Sequence, residues 1–324
     1  MTDRLEDFAL GEHAPLKGSI QKVGIVGCGS MGQEITTVVA KAGIEVIFLD
    51  QTEERIVEIN AALNARLNEE INRWGLTGGE KRAILTRISG TTDYSKLKDC
   101  DLVLETVYNR SRGTNMEVRK AILKKIEAVV STEAVIASNV STVLISELTD
   151  ELKHPERAVG LHFLTPASQV TIVEVVKGRK TNEDSQKVVK RFCKMIGKKV
   201  IELHESPGNI STRLILPLIN EACEILMEGV APMSCIDETM KRGFGLQFGP
   251  FELADKLGLD KVNKWMDNLY VEFGERKFKA SPVIRRLVRD NAIGRETGRG
   301  FYIYDETGKI IGQSINNSGL QVCE

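Results

Sequence analysis

Short apolar runs alternate with amphipathic stretches over the first two thirds of the chain. The runs at 22–26, 44–49 and 101–107 are each followed by a helical pattern. Further apolar runs lie at 134–137, 158–163, 170–176 and 198–203. Strands that alternate with helices are typical of a parallel sheet covered by helices on both faces, so the pattern predicts an α/β, doubly wound fold.

A long amphipathic segment lies between the second and third of these strands. Its apolar side chains recur at three- and four-residue steps from Ile56 to Trp74, which is the spacing of one helix face. Residues 75–79 interrupt the pattern before a shorter helix that ends near Arg87. We expect the two helices to form an antiparallel hairpin inserted into the sheet domain.

Strand signals disappear after Ser206-Pro207-Gly208, and amphipathic helices are predicted from there on. They lie at about 210–228, 234–241, 249–257, 260–273 and 281–291. We therefore divide the chain into an N-terminal arm (1–20), a sheet domain (21–205), a helical domain (206–312) and a tail (313–324). A helical domain of this size often buries its apolar surface against a second copy, so a homodimer is expected.

Composition narrows the possible partners and the compartment. With 44 basic and 45 acidic residues the net charge is −1, which disfavours nucleic acid or an anionic membrane as the partner. The N-terminus lacks a signal-peptide core, and no apolar run approaches the ~20 residues of a transmembrane helix. The six scattered cysteines form no C-x-x-C pair, which is typical of free thiols in a reducing compartment. We expect a cytoplasmic protein with no metal site.

The first predicted strand leads into a glycine-rich turn that matches G-x-G-x-x-G. The turn consists of Gly27, Cys28, Gly29, Ser30, Met31 and Gly32. The match is informative because a strand precedes it and a helix follows. Gly27 permits the tight turn, Gly29 lets a pyrophosphate approach the backbone, and Gly32 allows close helix packing. The pyrophosphate would bind the free N–H groups at the helix N-terminus.

Asp50 ends the second strand, where dinucleotide-binding folds place a carboxylate that binds the adenosine ribose. A carboxylate there would repel a 2′-phosphate, which favours NAD over NADP as the cofactor. In the alternative interpretation the glycine turn belongs to an unrelated α/β protein and Asp50 is the N-cap of the helix that begins at residue 53. Asp50 could also serve both purposes.

Hydride transfer at a hydroxyl carbon also needs a proton acceptor. Of the four histidines, His162 is the best placed, because it lies at the carboxyl end of the strand 158–163. Glu174 lies within an apolar strand and needs a fixed partner when buried. Glu174 could orient His162, or it could pair with a lysine or arginine while His162 is a core residue. These two residues alone do not decide between the interpretations.

Several longer stretches resemble the L-3-hydroxyacyl-CoA dehydrogenases, including the bacterial 3-hydroxybutyryl-CoA dehydrogenases. From Val23 to Tyr304 they read VGIVGCGSMGQEI, DLVLET, ASNVSTVLIS, GLHFLTPA, VEVVKG, PGNISTRLILPLINEA, GPFELADKLGLD and GRETGRGFYIY. The resemblance implies a Rossmann-type doubly wound sheet with an inserted helical hairpin, followed by an all-α C-terminal dimerisation domain.

The resemblance also implies an activity and residue roles. His162 would be the catalytic base, Glu174 its partner and Ser141 a donor to the substrate oxygen, with Asn139 near the nicotinamide. The alternative for Ser141 and Asn139 is turn and N-cap chemistry before the next helix. The implied reaction is NAD-dependent oxidation of a short (S)-3-hydroxyacyl-CoA such as 3-hydroxybutyryl-CoA, or its reverse, in fatty acid or butyrate metabolism.

The chain departs from the family pattern in the carbonyl-binding part of the site. The family usually has Asn at the positions of Thr165 and Thr212, and the second Asn helps polarise the substrate carbonyl. Threonine offers a single hydroxyl with shorter reach, so a water or Ser211 would have to replace the lost donor. Asn209 also replaces a family Phe. These changes leave two alternatives, a dehydrogenase of another 3-hydroxy acid and an NAD-binding protein that has lost catalysis.

Two further regions bear on ligand binding. The segment after Glu105 is longer than usual, and Asn109, Arg110 or Arg119 could take the place of the family's acidic residue and lysine near the cofactor. A CoA substrate should find cations on the helical hairpin. The candidates are Arg66 and Arg73, followed by Lys81 and Arg82 on the next helix. The alternative for each is a solvated polar face.

Overall fold

A computed structural model describes residues 20–73, 75–109 and 113–315 of the chain. The predicted N-terminal arm up to residue 19, the tail beyond residue 315, Trp74 and Arg110 lie outside these ranges. No helix of the described residues is both long and apolar enough to cross a membrane.

An eight-stranded sheet forms the first part of the molecule, in the order β3-β2-β1-β4-β5-β6-β7-β8. The strands are β1 (Lys22–Val26), β2 (Glu45–Leu49), β3 (Ile88–Thr91), β4 (Leu102–Glu105), β5 (Val135–Ser138), β6 (Ala158–Phe163), β7 (Ile172–Lys177) and β8 (Lys199–His204). The doubly wound α/β prediction is confirmed. Because β1 pairs with both β2 and β4, the strand order reverses there, and ligands of such sheets bind at the carboxyl ends beside that reversal.

One pairing in the sheet is antiparallel, which the prediction of a parallel sheet did not include. β6 and β7 run in opposite directions, and His162 lies directly opposite Glu174. The connection between them is too short for the crossover that a parallel pair needs. β3 was also not predicted, because its sequence is short and contains Gly90. A Cβ at Gly90 would lie 2.5 Å from the Phe48 ring, so the glycine makes room for the core.

Within the described ranges, six helices accompany the sheet. They are α1 (Ser30–Lys41), α2 (Glu53–Asn72), α3 (Gly78–Leu85), α4 (Met116–Glu127), α5 (Ile145–Leu148) and α6 (Glu183–Met195). α2 and α3 pack against each other between β2 and β3, which confirms the inserted hairpin. The N-cap of α2 is Thr52, whose side chain accepts a hydrogen bond from Arg55 N. The interpretation of Asp50 as this N-cap is therefore wrong.

The second part of the molecule is mainly helical, as predicted. Its helices are α7 (Ile210–Met227), α8 (Met233–Glu238), α9 (Pro250–Leu257), α10 (Leu259–Phe273) and α11 (Pro282–Arg289). It also contains a hairpin, β9 (Tyr302–Tyr304) with β10 (Ile310–Gln313), which the all-α prediction missed. Buried Asp255 of α9 fixes this hairpin by accepting hydrogen bonds from Phe301 N, Tyr302 N and the Tyr304 hydroxyl.

The cysteines do not all match the expectation of free thiols. Cys28, Cys100, Cys193 and Cys223 are buried thiols, and burial raises the pKa of each to about 12. These four thiols are therefore protonated and unreactive at neutral pH. Cys235 is disulfide-bonded, so the expectation is wrong for this residue.

Candidate active site

A cleft of about 1470 Å³ lies between the carboxyl edge of the sheet and the helical part of the molecule. The glycine turn and the segments after β2, β4, β5 and β6 form one wall. Residues of α7, α9 and α10 form the other. The cleft therefore joins the predicted cofactor residues and the predicted catalytic residues in one continuous space.

The three glycines of the turn have different surroundings. Gly27 has a φ of +85°, and a Cβ there would lie 2.5 Å from Val107 Cγ2. A Cβ at Gly32 would lie 2.7 Å from the Gly27 carbonyl oxygen. At Gly29 no atom lies within 4 Å of the Cβ position, and this position borders the cleft. Gly27 and Gly32 thus serve the turn itself, whereas Gly29 leaves space for a ligand.

The start of α1 suits a phosphate. Its first turn contains no acidic residue, and its N-cap is Gly29, which has no side chain to occupy the first N–H groups. Ser30 and Met31, the first residues of the helix, line the cleft. The first N–H groups of a helix lack intrahelical acceptors and carry the positive end of its dipole. The turn and the helix together fit the pyrophosphate of a dinucleotide.

Asp50 contributes to the glycine turn as well as bordering the cleft. Its Oδ2 accepts a 2.9 Å hydrogen bond from Cys28 N, and its Oδ1 accepts one of 2.9 Å from Gln51 N. The carboxylate therefore fixes the turn from the end of β2. No local sequence pattern indicates this contact, because it joins two segments across the β1–β2 pair.

His162 and Glu174 form a buried pair at the other end of the cleft. The Nδ1–H of His162 donates a 2.8 Å hydrogen bond to Glu174 Oε2, and the two residues are 7% and 2% exposed. Nε2 of His162 has no hydrogen-bond partner among the described residues, and the ring borders the cleft. No lysine or arginine in the described part of the chain forms an ion pair with Glu174. The alternative interpretation of Glu174 as a partner of a basic side chain is therefore wrong.

Ser211, near the start of α7, holds Glu174 from the opposite side. Its backbone N donates to Oε1 at 2.8 Å, and its hydroxyl donates to Oε2 at 2.7 Å. Burial by itself raises the pKa of Glu174, but the hydrogen bonds from His162 and Ser211 outweigh it and leave the pKa lowered. Glu174 is therefore ionised at neutral pH. The Ser211 hydroxyl is occupied by Glu174, so Ser211 does not replace the donor that Thr212 lacks.

Two residues after β5 line the same wall of the cleft as His162. Asn139 Oδ1 accepts a 2.8 Å hydrogen bond from Phe163 N, which ties the end of β5 to the end of β6. Ser141 is buried and lines the cleft, and its hydroxyl has no hydrogen-bond partner among the described residues. The N-cap of α5 is Leu144, so the N-cap interpretation of Ser141 and Asn139 is wrong.

The two threonines that depart from the family pattern also border the cleft. Thr165 follows β6 and forms a cis peptide bond with Pro166, and Thr212 is buried in the first turn of α7. The structure thus brings Thr165 and Thr212 together with His162 and Ser141. The buried Asn209 is not part of the cleft lining.

A buried ion pair at the end of β4 was not predicted from the sequence. Glu105 at the end of β4 is fully buried, and Arg119 of α4 donates to its two oxygens at 2.6 and 2.7 Å. The Ser138 hydroxyl also donates to Glu105, and Arg119 donates to Val107 O. Arg119 lines the cleft, and its hydrogen bond to Val107 O fixes the start of the segment that follows Glu105. A carboxylate within the apolar strand was the signal, since such a group requires a partner.

The cations that were predicted to bind CoA lie outside the lining of the cleft. Arg66 NH1 lies 3.5 Å from Glu34 Oε1, and Glu34 borders the cleft. Arg66 itself, Arg73, Lys81 and Arg82 are not among the residues that line it. Within the described ranges, no group of three or more His, Cys, Asp or Glu side chains could hold a metal ion.

Two family models match consecutive parts of the chain. Residues 22–206 match the NAD binding domain of 3-hydroxyacyl-CoA dehydrogenase, and residues 208–304 match its C-terminal domain. The chain belongs to the 3-hydroxyacyl-CoA dehydrogenase family. This confirms the resemblance stated from the sequence, the assignment to dehydrogenases and the choice of NAD as the cofactor.

Individual members of the family are similar to this chain over most of their own length. The 3-hydroxybutyryl-CoA dehydrogenase of Clostridioides difficile is 34% identical over 88% of this chain and 100% of its own. The structure of M. tuberculosis FadB2 has a TM-score of 0.84 and 30% identity, covering 89% of this chain and 100% of that one. The (S)-3-hydroxybutyryl-CoA dehydrogenase PaaH1 of Ralstonia eutropha has a TM-score of 0.78 and 35% identity, with 89% and 100% covered.

Proposed function

We propose that this protein oxidises (S)-3-hydroxyacyl-CoA to 3-oxoacyl-CoA with NAD, or catalyses the reverse reaction. The observation that carries the proposal is the buried His162–Glu174 pair, whose histidine lines the same cleft as the glycine turn. The relatives named as 3-hydroxybutyryl-CoA dehydrogenases support a short acyl chain.

The proton in this reaction moves between the substrate and His162. The C3 hydroxyl of the substrate donates to Nε2, and its proton is transferred there as the C3–H bond breaks and the carbonyl forms. NAD, when bound, supplies the acceptor for the hydride that leaves C3. Ionised Glu174 keeps the proton on Nδ1 and stabilises the imidazolium that results.

Three other residues position the substrate oxygen and the cofactor in this proposal. The open Ser141 hydroxyl donates to the C3 oxygen, and the buried Thr212 hydroxyl faces the same cleft as a weaker replacement for an amide. Asn139 is held by Phe163 N on the nicotinamide side. Thr165, which also lines the cleft, borders the acyl group.

The cofactor residues follow from the fit of the glycine turn. Gly29 and the first residues of α1 hold the pyrophosphate, Gly27 and Gly32 shape the turn that lets it approach, and Asp50 binds the adenosine ribose. Among the proposed CoA contacts, Arg66 has a link to the cleft through Glu34. Arg73 has no such link in the described residues, so its role rests on the sequence alone.

A homodimer through the helical part is also proposed. Several apolar side chains there are exposed, which a second copy would cover. They are Leu214 (67%), Val230 (66%), Phe244 (73%) and Val271 (81%). The boundary near residue 206 is supported by the two family models, which meet there. The cytoplasmic location remains a prediction from the sequence.

Thr165 and Thr212 favour one alternative, a dehydrogenase that acts on a 3-hydroxy acid without CoA. The test is to follow NADH oxidation with acetoacetyl-CoA and with free acetoacetate. The proposal predicts a much higher kcat/KM for the thioester. Equal activity with both compounds would favour the alternative, and NADH binding without turnover of either would indicate lost catalysis.

A further inference from the structure

The helical part of the molecule places two lysines on the cofactor side of the cleft. Lys261 and Lys264 lie one turn apart on α10, and both line the cleft. Nζ of Lys261 donates a 3.3 Å hydrogen bond to Oγ of Ser30, 231 positions away in the chain. Neither lysine was singled out from the sequence, because nothing local connects α10 to the glycine turn.

The contact with Ser30 puts a cation at the phosphate-binding end of α1. Ser30 is the first residue of that helix, and a pyrophosphate held by the first N–H groups would lie next to its side chain. An ammonium group that already reaches Ser30 Oγ is therefore within reach of a phosphate oxygen. The absence of an acidic residue from the first turn of α1 leaves that phosphate without a competing carboxylate there.

The surroundings of Lys261 leave its charge available. In the described part of the chain, no carboxylate lies within ion-pair distance of its Nζ. Its ammonium lies 5.6 Å from the centroid of the Tyr108 ring, and that of Lys264 lies 5.4 Å from the same centroid. Two cations thus share one aromatic ring at the edge of the cleft.

Acidic and basic side chains both line this edge, where Asp260 accepts a 3.1 Å hydrogen bond from the Tyr108 hydroxyl. Burial, together with the charge of Arg119, lowers the pKa of Lys264 to about 8. The guanidinium of Arg119 already forms an ion pair with Glu105. Among these three cations, the contact with Ser30 belongs to Lys261, which is therefore placed to meet an anion at the start of α1.

We propose that Lys261 binds the pyrophosphate of NAD from the helical part of the chain, so that both parts of the molecule hold the cofactor. The inference rests on the proposed NAD-dependent function. It adds a cofactor contact that is not part of the G-x-G-x-x-G motif. CoA also carries a pyrophosphate, so the experiment must separate the two ligands.

The experiment compares the full-length protein with Lys261→Ala and with Lys279→Ala, a matched control that removes an exposed lysine outside the cleft lining. Kd for NADH is measured by fluorescence titration, and ADP-ribose and adenosine are tested as competitors. We expect Lys261→Ala to raise Kd for NADH and ADP-ribose about tenfold or more, as for a lost charge-assisted hydrogen bond. Adenosine, which has no phosphate, should bind equally to all three proteins.

Several outcomes would overturn the inference. Unchanged NADH affinity in Lys261→Ala would do so, as would an equal loss for adenosine, which would indicate a distorted site. A rise in KM for acetoacetyl-CoA with unchanged NADH affinity would assign the lysine to CoA instead. Lys261→Arg should restore most of the affinity. A wild-type protein that fails to bind NADH would contradict the proposed function itself, which keeps the two failures distinguishable.

Discussion

His162 and Glu174 lie directly opposite each other on antiparallel strands, with a 2.8 Å hydrogen bond between Nδ1 and Oε2. The strand pair fixes both backbones, and Ser211 fixes the carboxylate from the start of α7. The imidazole is therefore held in one orientation with Nε2 toward the cleft. This arrangement provides the oriented, ionised partner that a histidine base requires.

Glu174→Gln should lower kcat by roughly 10²–10³ while leaving Kd for NADH unchanged, because an amide cannot stabilise the imidazolium. Steady-state reduction of acetoacetyl-CoA and fluorescence titration of NADH check the two parts. Glu202→Gln on β8 is the control, since this exposed carboxylate pairs with Lys190 outside the cleft. A Glu174→Gln enzyme with a kcat close to that of the wild type would exclude an essential role for the carboxylate.

The same pair predicts a pH dependence of stability. The pKa of Glu174 is lowered from its ordinary value of 4.5, so the folded state favours the ionised form. This contribution is present above the unfolded-state pKa and is lost as the pH falls through the folded-state pKa. The difference in unfolding free energy between wild type and Glu174→Gln should therefore shrink as the pH is lowered from 7 through the range below 4.5. Urea unfolding at several pH values measures it, and a difference that grows toward low pH would reverse the assigned sign.

Two glycines of the turn should respond differently to the same substitution. Gly32→Ala places a methyl group 2.7 Å from the Gly27 carbonyl oxygen and should reduce stability by about 1–3 kcal/mol. Gly29→Ala meets no atom within 4 Å, so it should leave thermal stability unchanged and weaken NADH binding. Melting temperature and NADH titration distinguish them. Full NADH affinity in Gly29→Ala would mean that the pyrophosphate does not approach this position.

Thr212→Asn tests whether the threonine is a shortened polarising group. Thr212 is buried in the first turn of α7 and lines the cleft beside His162. An amide reaches further and offers two N–H donors, so kcat for acetoacetyl-CoA should rise, by up to about tenfold. Initial rates at saturating NADH measure the change. A fall in kcat in a stably folded variant would refute this account of Thr212.

Arg119 should be important for stability because its partner is fully buried. Arg119→Ala leaves the Glu105 carboxylate without its cation and should lower the unfolding free energy by about 3 kcal/mol. Glu105→Gln combined with Arg119→Met should recover part of this loss. Lys124 lies on α4, as Arg119 does, and Lys124→Ala, which breaks an exposed ion pair with Glu151, should cost less than about 1 kcal/mol. Equal losses of unfolding free energy in the two alanine variants would contradict a larger contribution from the buried pair.

The apolar periodicity predicted most of the fold because buried strands and amphipathic helices leave local signals. The helices of the second part begin and end within a few residues of the predicted positions. β3 was missed because ISGT is short and includes a glycine. The antiparallel β6–β7 pair was missed although a signal existed, since 164–171 is too short for a crossover.

The candidate site was predictable only in part. His162, Glu174 and the glycine turn carry local patterns; the structure places His162 and the glycine turn at the cleft, with Glu174 hydrogen-bonded to His162. Ser211 contacts Glu174 and Lys261 contacts Ser30 only because distant elements pack together. Such contacts depend on tertiary structure, and no spacing in the sequence indicates them.

The most direct test of the proposed function is to follow the transferred hydrogen. Acetoacetyl-CoA is incubated with NADH that carries deuterium at both C4 positions, and the product is analysed by mass spectrometry and chiral chromatography. The account predicts (S)-3-hydroxybutyryl-CoA with one deuterium at C3, formed by the wild type and almost absent with His162→Gln despite normal NADH binding. No deuterated product from the wild type, or equal rates in the two proteins, would contradict it.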